Sequence, residues 1–444
     1  MALEPRVWPD SAQLDEAGEL IIAGVSARDL VREFGTPLFV VDEAHVRTRA
    51  HEFKTEFDDE HMPFTVHYAS KAFSAIEILK WVHAEGLGVD VATGGELAMA
   101  QAAGVPGKHI VMHGNNKSMH ELQRAVQADV RYIVVDSFDE IDRLAQLARG
   151  ASKPIDVLLR LTLGVEAHTH EFIATAHEDQ KFGLSIASGA AERAVIALTE
   201  TPNVRLCGFH YHIGSQVFDT AGFSIAVSRA LGFIAHLRNE HGFVTLELDI
   251  GGGLGVAYVP TDDPMPIADF AHELRNVIRA ECADLGIPVP KLSLEPGRAV
   301  VGGSTVTLYE VGTIKPVELD GGQERVYVSV DGGMSDAIRT ALYGAEYTVR
   351  LANRAPMDVM VQSRVVGKHC ETGDLVVRDC QLPADIRPGD LLAVATTGAY
   401  HYSMASNYNL VPRPAVVAVK NGRARLIVRR ESEADLLRLQ VSDS

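Results

Sequence analysis

A lysine stands at the end of a short apolar run near the start of the chain. The stretch TVHYASKAF (65–73) alternates up to Lys71, and a helical pattern begins directly after it. Such a lysine is either an ordinary residue at a strand end or an amine held in a pocket. A desolvated amine is a good nucleophile toward carbonyl groups. Lys71 is therefore a candidate for covalent chemistry, and its surroundings decide between the two interpretations.

Other residues capable of chemistry stand near the C-terminal ends of further predicted strands, where the active sites of parallel barrels lie. Each is weak evidence alone, because a strand histidine is usually a core residue and a Glu/Arg pair is often a structural ion pair. Their occurrence at one face is the stronger observation. They are Asp90 on the second strand, His113 on the third, His210, His212 and Ser215 on the sixth, and Glu295 and Arg298 on the eighth.

The stretch DIGGGLG (249–255) follows the seventh predicted strand. A glycine run is commonly a tight turn, but it also lets backbone amides approach an anion closely. Loops after strands seven and eight often hold phosphate in such barrels, and Arg298 and Ser215 are further candidate donors. A lysine, a phosphate cradle, a carboxylate and a stacking ring are the parts of a pyridoxal phosphate site. The residues therefore favour this cofactor, bound covalently by Lys71 as a desolvated amine.

Short β-branched runs alternate with amphipathic helical patterns from about residue 64 to residue 301, which predicts a parallel sheet covered by helices. Eight such units over this length favour a closed (β/α)8 barrel of the TIM type. An open doubly wound sheet stays possible, because strand order cannot be inferred from spacing. The predicted strands are 64–70, 88–92, 109–114, 132–137, 156–162, 206–215, 247–253 and 292–298.

The sequence after Val301 has a different hydrophobic pattern. Helical periodicity fades, and short apolar runs separated by turn residues predict an all-β domain of Greek-key or sandwich type. The first forty residues also contain strand patterns, GELIIAG and TPLFVVDEA, which we expect to join that domain. The chain is thus predicted to be α/β plus all-β, with N-terminal strands at 1–44, the barrel at 45–301 and the C-terminal β domain at 302–444.

The composition restricts the classes of partner. The 444 residues carry a formal net charge of −18, which argues against binding to nucleic acid or to an anionic membrane surface. No apolar run is long enough to cross a bilayer, and the N-terminus lacks the apolar segment of a signal peptide. The four cysteines include no CxxC pair that would indicate structural zinc. We expect a cytoplasmic protein without a metal site.

Nine stretches of the chain match, in order, the motifs of a known family. They are HYASKAF, GVDVATGGEL, HGNNKS, FHYHIGSQ, LDIGGGLGVAY, LEPGRAVV, DAIRTALYGA, HCETGD and GAYHYSMASNYN. By these motifs the chain resembles the pyridoxal-phosphate decarboxylases of the alanine-racemase-like barrel fold and, among them, the diaminopimelate decarboxylase family. The resemblance implies conversion of meso-2,6-diaminopimelate to L-lysine and carbon dioxide, the last step of bacterial lysine synthesis, with pyridoxal 5'-phosphate as cofactor.

The resemblance also implies a role for each matching residue. Lys71 would carry the cofactor, His212 would stack on its ring, and Glu295 would pair with the ring nitrogen. The remaining cofactor contacts would be Asp90, Ser215, Gly252, Gly253, Gly297, Arg298 and Tyr400. Substrate contacts would be Arg298, Arg339, Tyr343, Glu371 and Tyr400, and the catalytic residues would be Lys71, His212 and Cys370.

Four of the implied contacts set the substrate preference and the assembly. Arg339 and Tyr343 stand four residues apart and would share one face if their segment is helical. Cys370, the implied proton donor, and Glu371, which would meet the distal ammonium group, would come from the second subunit. The resemblance thus implies a homodimer with its active sites at the interface.

Several related functions stay open. A decarboxylase of the ornithine or arginine type is the nearest, although its substrates lack the distal carboxylate that Arg339 would bind. An alanine racemase would carry an arginine at the ring nitrogen, where this chain has Glu295. A cofactor carrier of the same fold would lack the second domain.

Histidines raise a metal-dependent barrel hydrolase as a further alternative. That function would leave Lys71, the glycine run and the EPGR stretch unexplained. Its candidate ligands are His67, His113, His210 and His212. A second group follows the fifth strand, where mixed spacing indicates ordinary loop residues: His168, His170 and His177.

Overall fold

The computed structural model describes residues 3–165 and 181–441. Their contacts group the chain into two units. The barrel unit comprises Arg49–Gly255 and Pro264–Gly297. The β unit comprises Met1–Thr48, Val256–Asp263 and Arg298–Ser444, so it is assembled from segments that are distant in sequence.

Strands alternate with helices in the barrel unit and mostly follow one another in the β unit. In the described residues, the strands are β1 (Gln13–Leu14), β2 (Leu20–Ile22), β3 (Val25–Ser26), β4 (Leu38–Asp42), β5 (Phe64–Ala69), β6 (Gly88–Val91), β7 (Ile110–Met112), β8 (Tyr132–Val135), β9 (Ile155–Thr162), β10 (Leu184–Ser185), β11 (Val204–His210), β12 (Glu247–Asp249), β13 (Lys291–Leu294), β14 (Thr305–Glu318), β15 (Glu324–Val330), β16 (Val349–Leu351), β17 (Met360–Val366), β18 (Leu375–Pro383), β19 (Leu391–Val394), β20 (Ala415–Lys420) and β21 (Arg423–Val428).

The helices of the same residues are α1 (Ala27–Phe34), α2 (Glu43–Glu56), α3 (Ile76–Ala84), α4 (Gly94–Ala102), α5 (Met119–Gln127), α6 (Phe138–Ala148), α7 (Ala190–Glu200), α8 (Ala221–His241), α9 (Ile267–Asp284), α10 (Arg298–Val301), α11 (Ile338–Tyr343) and α12 (Glu433–Leu437). None of these helices has the length and apolar character that a membrane span requires.

The barrel unit closes on itself through parallel pairing. Strand β5 pairs with β6, and pairing continues through β7, β8, β9, β11, β12 and β13, which returns to β5. The closing register joins Leu292 to Phe64 and Leu294 to Val66. In the described part of the chain the ring contains eight strands, and the short β10 lies beside β9. The predicted (β/α)8 barrel is confirmed.

Local sequence explains how the strands turn into helices. Thr93, Ser118 and Ser137 follow β6, β7 and β8, and each accepts a hydrogen bond from a backbone N–H in the first turn of the next helix. Such N–H groups have no partner within the helix, so the caps fix where each helix starts. In α5, Glu121 completes a capping box with Ser118. The C-terminal ends of these strands are therefore held by the residues that follow them.

A buried ion pair joins two of these strand ends. The Lys117 ammonium lies 2.8 Å from Glu140 Oε1 and donates to the carbonyl oxygens of Gly114 and Val134 at 2.6 and 2.7 Å. Two of its N–H groups thus have carbonyl acceptors, and the Glu140 carboxylate supplies the opposite charge that a buried ammonium requires. Glu140 Oε2 accepts from the Asp136 N–H. Burial lowers the pKa of Lys117 and raises the pKa of Glu140, and their mutual attraction opposes both shifts.

The variant Lys117→Met should destabilise the barrel unit, because it leaves the Glu140 carboxylate buried without a cation. Breaking such a pair on one side costs about 3–5 kcal/mol. We expect Lys117→Met/Glu140→Gln to regain much of this loss, since the amide oxygen still accepts from the Asp136 N–H and carries no charge. Urea unfolding followed by circular dichroism would measure the free energies of unfolding. Equal losses in the single and double variants would contradict this account.

One long strand organises the β unit. β14 pairs antiparallel with β4 and β19 along its first half and with β15 along its second half. β4 also pairs in parallel with β20, and all five of its residues are buried. An N-terminal strand thus lies between two strands of the C-terminal region, within one apolar core. The predicted all-β domain that includes the N-terminal strands is confirmed.

The β unit also buries an acid shortly before α11. The Asp336 carboxyl group accepts a hydrogen bond from the Tyr309 hydroxyl at Oδ2 and from the Gly333 N–H at Oδ1, the latter at 3.0 Å. Burial raises the pKa of Asp336 to about 7, although both hydrogen bonds oppose the shift. The native state therefore holds a proton at Asp336 at pH values where the unfolded chain has released it.

This proton makes stability depend on pH. An unfolded aspartate loses its proton near pH 4, so the native state binds more protons between about pH 4 and pH 7. The free energy of unfolding should fall as the pH rises through that window. Asp336→Asn should flatten this part of the profile, because the amide mimics the protonated acid. Urea titrations at several pH values would test it, and parallel profiles for the two proteins would contradict the assignment.

Candidate active site

Lys71 lies on a single 3-10 turn directly after β5. β5 ends at Ala69 and Ser70 is buried, but the Lys71 side chain is exposed to solvent. The prediction of a desolvated amine is therefore wrong for this chain by itself, because the turn carries Lys71 beyond the buried end of the strand. Its charge acts on both Asp90 and His212. Lys71 thus stands at the rim of a buried polar group rather than inside it.

Gly297 connects this turn to the loop after β13. The Ala69 N–H donates to the Pro296 carbonyl oxygen at 3.1 Å. A Cβ at Gly297 would lie 3.0 Å from the Ala69 Cβ, which is tighter than ordinary packing allows. The glycine therefore lets the two loops approach each other.

Glu295 follows the last strand of the barrel, and its carboxylate is buried. His210 Nε2 donates to Oε2 at 3.1 Å, and His113 Nε2 lies 2.6 Å from Oε1. The two imidazole rings meet edge to face, with centroids 4.8 Å apart. Burial alone would raise the pKa of Glu295, but His113 and His210 together hold it well below its usual value. Glu295 is thus an ionised carboxylate in the barrel interior.

Asp90, on β6, lies at the edge of this group. Its Oδ1 is 3.7 Å from His113 Nε2. Burial raises the pKa of Asp90 to about 6; the charge of Glu295 adds to the shift, whereas His113 and Lys71 oppose it. The structure therefore brings Asp90, Glu295 and Lys71 into one electrostatic neighbourhood that contains two carboxyl groups of different acidity.

His212 lies in a loop, because β11 ends at His210. The predicted strand 206–215 is therefore wrong at its C-terminal end. The chain leaves the sheet there and pairs with the loop after β12, where the Val217 N–H donates to the Gly253 carbonyl oxygen at 2.9 Å. The Gly252 N–H donates to His212 Nδ1 at 3.3 Å and so orients the ring. Burial lowers the pKa of His212 well below its usual value, which leaves a neutral imidazole.

The glycine run is required by close packing. A Cβ on Gly252 would lie 2.0 Å from the Glu295 carbonyl oxygen. Gly253 has a φ of +127°, and its Cβ would lie 2.7 Å from the Gly214 carbonyl oxygen. Only glycine tolerates both constraints. The loops after β11, β12 and β13, including the one that carries Ser215, are thus packed backbone against backbone.

Arg160 is a charged residue of this neighbourhood that sequence reasoning missed. It lies among the apolar residues of strand β9, near the C-terminal end of the strand. Its guanidinium lies 3.9 Å from Asp136 Oδ2 and 4.5 Å from the centre of the Phe182 ring, and it interacts with the charges of Glu295 and Asp90. The sequence feature that could have identified Arg160 is its position as the one arginine within a largely buried strand.

In the β unit, two arginines surround one tyrosine ring. The guanidinium carbons of Arg298 and Arg339 lie 4.8 and 5.6 Å from the centre of Tyr400. Arg298 Nη1 donates to the Tyr258 hydroxyl, and Arg339 Nε donates to the Tyr347 hydroxyl at 2.9 Å. Among the described residues, Arg339 has no carboxylate within ion-pair distance. Guanidinium groups held in this way suit a carboxylate or phosphate ligand.

Arg339 and Tyr343 share the short helix α11, so the helix that their spacing requires is present. The Arg339 guanidinium lies 5.4 Å from the Tyr343 ring, which is largely exposed. Tyr258 and Tyr347 are buried and meet edge to face at 5.1 Å. Sequence reasoning assigned no role to these two tyrosines, because nothing in the local pattern reveals that their hydroxyl groups reach the arginines.

Cys370 and Glu371 are exposed and follow β17. The Asn409 side-chain oxygen accepts from the Cys370 N–H at 3.2 Å, and the Asp374 carboxylate accepts from the His369 N–H at 2.7 Å. These bonds fix the backbone on which both side chains stand. Within the described residues, no hydrogen bond or ion pair joins Cys370 or Glu371 to the tyrosine and arginine group around Tyr400.

The metal alternative has partial geometric support. The ligand atoms of His113, His210 and Glu295 lie within 4.8 Å of one another. His67 is equally buried on β5, but its ring nitrogens have no hydrogen-bond partner in the described part of the chain, and burial lowers its pKa to about 4. His212 and His67 therefore stand apart from that trio. The three histidines of the 164–183 segment (His168, His170 and His177) lie outside the described residues.

Comparisons with known proteins decide between these alternatives. The family described as "Pyridoxal-dependent decarboxylase, pyridoxal binding domain" matches residues 43–302. Diaminopimelate decarboxylase of Mycobacterium tuberculosis is 54% identical over 443 residues, which cover 99% of this chain and 98% of that protein. The enzyme of the same name from Bacillus subtilis is 44% identical over 431 residues, 97% of each chain.

The chain belongs to the diaminopimelate decarboxylase family. A solved structure shares its fold: the crystal structure of diaminopimelate decarboxylase from M. jannaschii has a TM-score of 0.89 at 32% identity and covers 98% of both chains. That protein has also been solved in a co-complex with L-lysine.

The barrel residues fit pyridoxal phosphate, the cofactor of a diaminopimelate decarboxylase. The Lys71 amine is accessible for a covalent bond, and the neutral His212 ring is held by Gly252. Glu295 is ionised in the interior, and the glycine run brings the loops after β11, β12 and β13 close together. The buried Ser70 hydroxyl, beside Lys71, has no hydrogen-bond partner in the described residues. The donor set is thus that of a pyridoxal phosphate site rather than of a metal centre.

Proposed function

We propose that this protein decarboxylates meso-2,6-diaminopimelate to L-lysine and carbon dioxide with pyridoxal 5'-phosphate as its cofactor. The observation that carries the proposal is the similarity to diaminopimelate decarboxylases over nearly the whole chain. Family members at 44–54% identity are diaminopimelate decarboxylases, and one structural neighbour was solved with L-lysine. The reaction is therefore the last step of lysine synthesis.

The barrel residues prepare the cofactor for this reaction. When bound, pyridoxal phosphate accepts the electron pair that the departing carboxyl group leaves at Cα. Lys71 would hold the cofactor covalently, and its phosphate would be held by Ser215, Gly252, Gly253 and Gly297 with the help of Arg298 and Tyr400. His212 would stack on the ring, and Asp90 and Glu295 would form the polar end of the site. Glu295 keeps the ring nitrogen protonated by supplying a nearby negative charge.

The β unit supplies the groups that select the substrate. Arg339 and Tyr343 bind the distal carboxylate, because a guanidinium whose Nε is already occupied by Tyr347 still presents two Nη groups as a fork. Arg298 and Tyr400 lie beside that fork. An ornithine-type or arginine-type substrate lacks the distal carboxylate, so this arrangement favours diaminopimelate.

The active form is a homodimer in which Cys370 and Glu371 of one subunit complete the site of the other. Both side chains are exposed on a loop fixed by Asn409. Cys370 donates the proton that replaces the carboxyl group at Cα, and Glu371 pairs with the distal ammonium group. The cofactor-binding domain spans residues 45–301. The enzyme acts in the cytoplasm, where its four free cysteines persist as thiols.

The absorption spectrum of the purified protein tests the proposed function. After addition of pyridoxal phosphate, a visible band should appear, change on addition of meso-diaminopimelate and accompany the release of L-lysine and carbon dioxide. A band that responds only to ornithine or arginine would support the cofactor assignment but contradict the assignment of meso-diaminopimelate as the substrate. A protein that gains no band but contains bound metal would favour the hydrolase alternative.

Substitution of Arg339 tests the substrate assignment. Arg339→Lys keeps the positive charge but loses the planar fork, so we expect KM for meso-diaminopimelate to rise about ten- to a hundredfold with a smaller change in kcat. L-Lysine retains the distal carboxylate, so its inhibition constant should rise by a similar factor. Inhibition by 1,5-diaminopentane, which lacks that carboxylate, should not change. A similar loss for both inhibitors would show that Arg339 does not bind the carboxylate.

A further inference from the structure

The Glu295 carboxylate is held in an unusual way for a buried anion. In the described residues its ion-pair contacts come from His113 and His210 alone, and no lysine or arginine lies within 4 Å of it. An isolated buried carboxylate is unstable unless hydrogen bonds or a cation compensate for lost water. The two imidazoles are therefore the groups that allow Glu295 to remain ionised in the interior.

Each of the two histidines contacts a different oxygen of the Glu295 carboxylate. His113 approaches Oε1 from the end of β7, whereas His210 donates to Oε2 from the end of β11. Their rings meet edge to face, so each limits the rotation of the other. The carboxylate is thereby held by a hydrogen bond at Oε2 and by the close ion-pair contact with His113 at Oε1.

His210 is a donor that adds no full charge. Burial lowers the pKa of His210 to about 3, so the ring is neutral and carries its proton on Nε2, facing Glu295. Its Nδ1 has no hydrogen-bond partner in the described residues, which is unfavourable for a buried polar atom. A guanidinium in the same place would neutralise Glu295. A neutral imidazole instead leaves a net negative charge that can stabilise a protonated ring nitrogen.

We propose that His113 and His210 are positioning residues that hold the Glu295 carboxylate toward the ring nitrogen of the cofactor. This inference rests on the proposed function, because it requires pyridoxal phosphate in the barrel. It goes beyond that function by assigning a role to two histidines that do not themselves touch substrate. Their removal should weaken protonation of the ring nitrogen and leave substrate binding in the β unit unaffected.

The test uses the holoenzyme reconstituted with pyridoxal phosphate carrying nitrogen-15 in its ring. In His113→Leu and His210→Leu, the ring-nitrogen chemical shift should move toward that of unprotonated pyridine, and kcat should fall about ten- to a hundredfold with little change in KM. His210→Gln should restore the wild-type shift, since its amide N–H can occupy the place of Nε2. His67→Leu is the matched control: His67 is as buried as His210 but has no hydrogen bond to Glu295.

Two results would overturn the inference. One is a wild-type ring-nitrogen shift in both leucine variants once they have bound the cofactor. The other is an equal displacement in His67→Leu, which would indicate a general disturbance of the barrel. If His210→Leu does not fold, the comparison of His210→Gln and His113→Leu with His67→Leu still decides the question. A wild-type protein that does not bind pyridoxal phosphate would instead overturn the proposed function.

Discussion

Lys71→Ala is expected to lower kcat for meso-diaminopimelate by about 10³-fold or more, because it removes the amine that anchors and releases the cofactor. Borohydride reduction of the wild-type holoenzyme should fix the cofactor on the peptide that contains Lys71, and the variant should give no labelled peptide. Lys80→Ala is the matched control. Lys80 is an exposed lysine on α3, and its ammonium forms an ion pair with the Glu77 carboxylate at 3.0 Å. Such a pair contributes about 0–1 kcal/mol.

The result bears directly on the exposure of Lys71. An accessible amine reacts with an aldehyde in solution without opening the barrel, so reconstitution of the apoprotein should be rapid. Labelling of another lysine, or retention of activity in Lys71→Ala, would show that Lys71 is an ordinary residue at a strand end.

Glu295→Gln is expected to lower kcat by about 10²–10³-fold while KM changes little. Glutamine has the same shape as glutamate but no negative charge, so it cannot stabilise a protonated ring nitrogen as charge develops. The absorption band of the bound cofactor should also change, which can be measured before any substrate is added. Steady-state kinetics and the spectrum together distinguish a lost charge from lost binding.

A second buried glutamate provides the control for this substitution. Glu247 lies at the start of β12 and accepts from the Tyr132 hydroxyl at 2.6 Å, with Arg131 at 2.9 Å. It is at the opposite end of the barrel strands from Glu295. Glu247→Gln should lower the midpoint of thermal unfolding but leave the cofactor spectrum as in the wild type. If the two variants lose activity equally, the effect of Glu295→Gln would be one of barrel stability.

The barrel could be predicted because its local signals agree with one another. Apolar strands buried on both faces alternate with capped amphipathic helices, and residues such as Ser118 and Ser137 fix where each helix starts. Strand ends were harder to predict. The apolar pattern continues past His210, but the chain leaves the sheet there because the loops after β11 and β12 pair with each other. Nothing local to residues 211–215 reveals a partner in another loop.

In the candidate site, too, some features could be predicted from the local sequence and others could not. Lys71, Glu295 and the glycine run could be selected from the sequence as candidate site residues, because their types are unusual at strand ends. The exposure of Lys71 could not, since it depends on the direction of one turn. The contacts of Arg160 and Tyr347 also escaped prediction, because they join residues that are distant in sequence and their local patterns are those of a strand and a loop.

The position of β4 has a consequence for how the protein is made. β4 is synthesised well before its parallel partner β20, because Leu38 pairs with Ala415 across a long stretch of sequence. Barrel residues 49–255 emerge in the interval, and domains generally fold in the order in which they emerge. During that time both edges of β4 have unpaired backbone groups, because β14 and β20 have not yet emerged, and such edges can recruit another chain. We expect nascent chains stalled before Ala415 to depend on chaperones, and complete chains to be independent of them.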